Sequence, residues 1–245
     1  LKQLVEGRDV TLVTGRKQLD KYGRLLAHVT VGDVWVNGEM VKRGLAVAYT
    51  FADNRERADE ILALEQTARA SKTGLWSHPR WTLKDATTCC APAELGKFQV
   101  IRGKVLSSGR DKDSLYLNFG TDYRTDTTLR IKYADLKWFR ERGIAKPEET
   151  YVGQTVRVRG VAAPVYGVLL NVSHPEQIEV LDAAGNVVPY APRTEAKPKT
   201  GKPKAENPKA EKKAKVEKAE ATDETADAKP KRKRKKKADA DGGDA

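Results

Sequence analysis

Asp20-Lys21-Tyr22-Gly23-Arg24, running into Leu25-Leu26-Ala27-His28-Val29, is the stretch on which the reading of this 245-residue chain turns. An arginine at the mouth of a strand, behind a glycine turn and beside a tyrosine and a lysine, suits the gripping of a phosphate. Its guanidinium presents a planar fork of donors to two phosphate oxygens and stays charged at any working pH. Gly23 lets the backbone turn where a side chain would be strained, which gives Arg24 a set direction. Taken alone, the five residues fit a solvated loop better, with Tyr22 covering a core edge, because short motifs match by chance. The surrounding sequence reverses that preference.

Upstream, Asp9 to Thr14 alternates Val10, Leu12 and Thr14 with Thr11 and Val13, the period of a strand, and Gly15 to Lys21 reads as a polar loop. Downstream, Leu25 to Thr30 predicts a second strand, and Gly32-Asp33 supplies a hairpin turn into Val34 to Val36. His28, mid-strand without a second histidine or an acid beside it, reads as a structural side chain. Residues 39 to 46 predict a short helix with Met40, Val41, Gly44 and Leu45 inward. Asp53 with Glu56 predicts a capping box that opens a longer helix to Lys72, with Ala58, Ile61, Leu62 and Ala68 as its buried stripe. Glu65 falls on that stripe, so it is expected to bond a backbone group. Gly74 ends the helix and Trp76 anchors the domain end.

These motifs, in this order, resemble the staphylococcal nuclease family from about Leu4 to Ser77. They comprise Asp20-Lys21-Tyr22-Gly23-Arg24 and its Leu-Ala strand, then Val36-Asn37-Gly38-Glu39-Met40-Val41-Lys42-Arg43-Gly44-Leu45-Ala46, then Ala48-Tyr49 and the closing Gly74-Leu75-Trp76-Ser77. The resemblance implies a nuclease in which Arg24 is catalytic, binding the phosphate and stabilising the charge that builds as the phosphodiester is cleaved. It implies that Tyr22 and Tyr49 line the nucleotide pocket, that Lys21 is a cation near the outer phosphate, and that Phe51 stands where the family usually carries tyrosine. Without a hydroxyl, Phe51 can stack a base but not hydrogen-bond it. The family's calcium-binding aspartates, general-base carboxylate and second catalytic arginine lie on strands that precede Leu1. The expectation is therefore that the Ca2+ ligands lie upstream of Leu1, that the chain is the trailing part of a longer calcium-dependent nuclease, and that it is inactive by itself. Secretion or a periplasmic location would follow from a signal peptide upstream.

Residues 78–96, with His78-Pro79, the neighbouring Cys89 and Cys90, and Ala91-Pro92, read as a linker, and the two cysteines as unbridged. From Lys97 to Asp182 the pattern changes. Strands are predicted at 98–107, 114–120 and 127–133, a helix at 134–143, and further strands at 154–162, 166–172 and 177–181, the order of an OB-fold. Gly103 is read as the bend such a barrel needs. The segment also resembles the OB-like module that follows the nuclease domain in bacterial thermonuclease-like proteins, through Tyr116-Leu117-Asn118-Phe119-Gly120, Val156-Arg157-Val158-Arg159-Gly160 and His174-Pro175-Glu176-Gln177-Ile178-Glu179-Val180. Arg157 with Arg159, and Arg130 with Lys132, alternate onto single strand faces, and Tyr116, Tyr123 and Tyr166 are available to stack bases. Two readings of this module stand, a nucleic-acid-binding face or the solvated side of a barrel.

The fold class is thus mainly β with helices: a partial OB-fold nuclease domain over 1–77, a second OB-like barrel over 97–182, and a disordered Lys/Ala/Pro-rich tail over 191–245. The formal charge of +12 is uneven, with 18 Lys and Arg against 11 Asp and Glu in 191–245 and 28 against 23 before it. Lys231 to Lys237 is an unbroken cationic block that would contact phosphate backbones without reading sequence. No apolar run approaches the roughly 20 residues of a membrane span. Two functions follow: a metal-dependent nuclease acting on DNA or RNA, or a non-catalytic nucleic-acid-binding scaffold built from the same parts.

Overall fold

The computed structural model describes residues 1–20 and 22–190. Lys21 and the basic tail from 191 onward, on which two expectations rest, lie outside the described residues. After a short helix α1 (Lys2–Val5), strands β1 (Thr11–Leu19), β2 (Leu25–Val31) and β3 (Val34–Trp35) form an antiparallel sheet in that order, with Thr11 opposite Thr30 and Leu19 opposite Leu25. β1 extends through Gly15–Leu19, which the sequence reading assigns to a loop. It does so with a register shift between Thr14 and Leu19, where the side chain of Asn54 clamps its backbone: Asn54 Oδ1 accepts from the Lys17 amide at 2.9 Å and Nδ2 donates to the Lys17 carbonyl at 2.7 Å. β1 is a sheet edge, and Leu12, Val13 and Leu19 on it are exposed.

Helix α2 (Val36–Lys42) begins directly after β3 and buries Val36, Gly38 and Val41. Helix α3 (Ala58–Ala70) starts four residues later than the Asp53–Glu56 capping box predicts, with Arg57 at its N-cap. The local pattern is outbid by tertiary demands. Asn54 is committed to β1, Phe51 and Asn54 form an isolated bridge, and Arg55 turns inward to a buried carboxylate. Gly44 and Gly74, with φ of 64° and 59°, hold the end of α2 against the end of α3. The Leu75 amide donates to the Gly44 carbonyl at 2.7 Å, and a Cβ on Gly44 would stand 2.1 Å from the Thr73 carbonyl oxygen. Trp76 is buried, as expected of an anchor.

The second half closes a barrel. Strands β5 (Phe98–Lys104) and β6 (Ser107–Arg110) are two arms of one bent strand. Around them run β7 (Ser114–Asn118), β8 (Thr127–Lys132), β10 (Val168–Asn171) and β9 (Thr155–Ala163), the last pairing back to β5, while β11 (Ile178–Leu181) adds to β9. The β8–β10 pairing is parallel and its neighbours are antiparallel, the strand order of an OB-fold, and α4 (Leu136–Arg140) and α5 (Pro147–Tyr151) fill the connection between β8 and β9. The bend falls after Lys104. Gly103 serves close packing instead, since a Cβ there would meet Ala86 at 2.5 Å and the Phe119 ring at 2.7 Å. Ile101, Leu115, Leu129, Val156, Val158 and Ile178 carry the core. Within residues 78–96, β4 (Lys84–Asp85) pairs parallel with β5 and Ala86 enters this core. Cys89 and Cys90 adjoin across a cis peptide bond with their sulfurs side by side.

Candidate functional site

The hairpin between β1 and β2 is organised by Asp20. Its Oδ1 accepts from the amides of Tyr22 and Arg24 at 2.8 and 2.9 Å, and its Oδ2 accepts from Arg24 Nε at 2.7 Å. The Asp20 amide donates to the Arg24 carbonyl at 2.9 Å, and Gly23 makes the reversal at φ 77°. The Arg24 amide first, with its guanidinium and the Tyr22 amide, keeps the Asp20 carboxyl below the usual carboxylate range. One edge of the guanidinium is therefore held. Its terminal nitrogens have no hydrogen-bond partner among the described residues, and the side chain is 75% exposed. The Arg24 guanidinium carbon lies 5.2 Å from the Tyr22 ring centre. Asp20 is the functional residue that sequence reasoning passed over. The signal for it was present, an aspartate two and four residues before the amides it caps.

Tyr49 and Phe51 form a second pair, with ring centres 5.2 Å apart, and Tyr49 lies 5.7 Å from Phe98 at the start of the barrel. The sequence-predicted residues are thus brought into two pairs, Tyr22 with Arg24 and Tyr49 with Phe51.

The other candidates are displaced from the roles first considered for them. Arg157 and Arg159 neither face nucleic acid nor solvate the barrel; they are buried. Arg157 makes a two-armed pair with Glu179, at 2.8 Å for each arm. Arg159 bonds Glu179 at 2.8 Å and Glu65 of α3 at 2.6 Å. Glu65 also accepts from the Ala48 amide at 2.8 Å, the backbone bond expected of it, and from Arg69 at 3.1 Å. Burial works against the Arg159 charge, but Glu65 and Glu179 outweigh it and hold its pKa raised. Burial likewise pushes Glu179 up, and the two arginines more than offset it, leaving its pKa at about 2. Arg69 falls to about 10, through burial and then the nearby Arg157. Alongside, Arg55 bonds Glu176 at 3.2 Å and pairs with Glu141, and Arg142 reaches Asp59 at 2.6 Å. This seam of ion pairs fastens α3 and the segment before it to the barrel.

His28 lies against the Trp35 ring at 5.4 Å; burial, then the Arg57 charge, lowers its pKa, in keeping with a structural role. His174 is buried between the Thr50 hydroxyl at 2.7 Å and the Ser173 hydroxyl at 2.9 Å. Its pKa is pulled down to about 3 by burial and the charges of Arg55 and Arg159. Of the barrel tyrosines, Tyr116 spends its hydroxyl on Asp111 at 2.8 Å. Tyr123 and Tyr166 stay 54% and 71% exposed, with rings 6.0 Å apart and Arg124 5.3 Å from the Tyr123 ring. Among the described residues, no three His, Cys, Asp or Glu side chains are grouped to hold a metal. The calcium implied by the resemblance does not fit these residues, and no step is drawn through it.

Residues 1–78 match the family described as Staphylococcal nuclease homologue. Over this stretch the chain is similar to the staphylococcal nuclease family, and the match spans about a third of its length. The endonuclease YncB of Bacillus subtilis (strain 168) is 44% identical over 59 residues, covering 24% of this chain and 28% of that protein. Protein ParB of Escherichia coli is 39% identical over 82 residues, covering 28% of the chain and 43% of ParB. The thermonuclease of Staphylococcus hyicus is 30% identical over 77 residues, covering 31% and 46%. The chain spans less than half the length of each of these relatives. The staphylococcal nuclease segment therefore holds the Arg24 hairpin, Tyr49, Phe51 and α3, and the barrel that clamps α3 lies beyond the matched residues.

Proposed function

We propose that this chain is part of a nuclease that hydrolyses phosphodiester bonds of DNA or RNA, with Arg24 stabilising the charge that develops on the phosphate. The observation that carries this reading is the Asp20–Arg24 hairpin. A cation whose Nε is anchored and whose terminal nitrogens face solvent is preorganised to receive two phosphate oxygens, so little reorganisation accompanies the reaction. Tyr22 is the neighbour for the sugar-phosphate, and Tyr49 and Phe51 offer ring faces to a base. Lys21 is assigned the outer phosphate by its place in the motif. Calcium dependence belongs to the same reading, with ligands supplied by residues other than those described here, and the 245 residues alone are expected to cleave weakly or not at all.

The test is cleavage of single-stranded and duplex substrates by the full-length native protein, with added calcium and with chelator. Arg24→Ala should lose about 10²–10³-fold or more in kcat, the scale on which removal of one charge-stabilising donor acts. Arg24→Ala cleaving at the wild-type rate would overturn the assignment, and cleavage unaffected by chelator would overturn the metal requirement.

The scaffold reading is favoured by one observation, the exposed Tyr123–Tyr166 pair with Arg124. Tyr166 sits at φ 46°, a conformation that favours glycine or asparagine, so a bulky ring is held there at a cost. Activity separates the readings, since a scaffold binds strands without cutting them.

A further inference from the structure

Beside Tyr49 the surface opens into a cavity of about 210 Å³. One wall is Ala48–Thr50, from the nuclease-family segment, and the other is the barrel: Phe98, Val161, Asn171 and Gln177, over a floor of Arg159 and Gly160. The cavity is below the roughly 300–1,000 Å³ of drug-sized sites, which suits a single ring system better than a whole nucleotide.

Three features of the cavity point to a ligand. Phe51, Tyr49 and Phe98 form a row of rings, with successive centres 5.2 and 5.7 Å apart, and Tyr49 is 55% exposed. Phe98 is directly opposite Val161 across β5 and β9, and Val161 is exposed, so an apolar strip continues the ring row onto the barrel's outer surface, where a polar residue would serve folding as well. Polar groups at the cavity are under-used. Asn171 Oδ1 accepts from Arg130 Nε at 2.8 Å, which fixes the amide and leaves its Nδ2 donor without a partner among the described residues. Arg159, 1% exposed, lines the floor, and its buried Nε has no partner either. The chemistry is a stacking surface beside hydrogen-bond donors, which recognises a flat ring bearing carbonyl acceptors.

We propose that this cavity is a subsite for one nucleobase of a single-stranded polynucleotide, adjacent to the nucleotide at Tyr49, with the second barrel supplying Phe98 and Asn171. The proposal rests on the nuclease reading of Tyr49. It favours single strands because a paired base keeps its faces and hydrogen-bonding edge inside the duplex. The barrel thereby contributes to substrate choice, although its arginine stripe is sequestered.

The test uses the 245-residue chain and two fluorescein-labelled probes of equal length, oligothymidylate and its fully abasic analogue, at matched salt. Phosphate contacts are common to both probes, so the affinity ratio isolates base recognition. Wild type should prefer the base-bearing strand by about 5- to 150-fold, the range that one stacked base supplies. Phe98→Leu, which keeps an apolar side chain but removes the ring, and Asn171→Ala, at an exposed strand position, should each reduce that ratio at least threefold or so while leaving the abasic affinity unchanged. An unchanged ratio in both variants overturns the subsite and leaves the Arg24 reading intact. Failure of wild type to bind either strand overturns both.

Discussion

At the scale of single residues, the chain separates charge that is displayed from charge that is enclosed. Arg24 and Arg159 are the same residue type at the two limits. One is pinned at Nε by Asp20 with its far edge in water; the other is inside, with Glu65 and Glu179 compensating it. His174 belongs to the enclosed set, and its behaviour is testable. Its folded pKa of about 3 lies below the ordinary 6.5, so the unfolded chain binds the proton more readily, and stability present above pH 6.5 is lost as pH falls toward 3. Glu179, depressed from 4.5 to about 2, withdraws stability only at still lower pH. Between pH 6.5 and 4.5 His174 leads the loss, with His28 acting in the same direction and the burial-raised carboxyls of Asp126 and Asp135 opposing it. Chemical denaturation across this window should show a loss of about 1.4 kcal/mol per pH unit from the His174 proton, and His174→Gln should remove it. An identical slope in the variant would show that the histidine is not held neutral by its burial.

At the scale of elements, helix α3 is fastened to the barrel by ion pairs, and its buried carboxylate Glu65 receives Arg159, Arg69 and the Ala48 amide. Glu65→Leu would leave Arg159 with Glu179 alone and Arg69 without its carboxylate, and is expected to cost about 3–5 kcal/mol, read from a denaturant midpoint. Adding Arg159→Met should recover part of that loss, because exchanging both members for apolar groups avoids the uncompensated charge. Additive losses would contradict the pairing. The hairpins and the barrel strands were legible in the sequence because their period and turn residues are local signals. The start of α3 was not, because a valid capping pattern at Asp53 and Glu56 lost to the longer-range commitments of Asn54 and Arg55. The destination of the Arg157–Arg159 face was also illegible. Alternation assigns both to one side of β9, but the partner that buries Arg159, Glu65, is 94 positions away in the sequence. The Arg24 hairpin could be read almost whole because every group that shapes it lies within five consecutive residues.

At the scale of the molecule, the nuclease-family segment and the barrel share a seam of ion pairs and a cavity, so they should unfold together. Fluorescence that reports the environments of Trp35 and Trp76 should follow the same transition as the loss of barrel strand signal, and two separated transitions would contradict a common unit. The tail carries much of the basic excess, and deleting 191–245 should flatten the salt dependence of single-strand binding by about 0.7 in log–log slope for each phosphate that the tail would otherwise neutralise. An unchanged slope would assign the tail no phosphate role. The central claim, that Asp20 aims Arg24 at the phosphate, is tested most directly by a double-mutant cycle of single-turnover cleavage in the native full-length protein. Asp20→Asn alone should slow cleavage about 10- to 100-fold through misplacement of the guanidinium, and Asp20→Asn combined with Arg24→Ala should be no slower than Arg24→Ala alone. Independent, multiplying losses would contradict the claim, because Asp20 would then act on the reaction by a route other than Arg24.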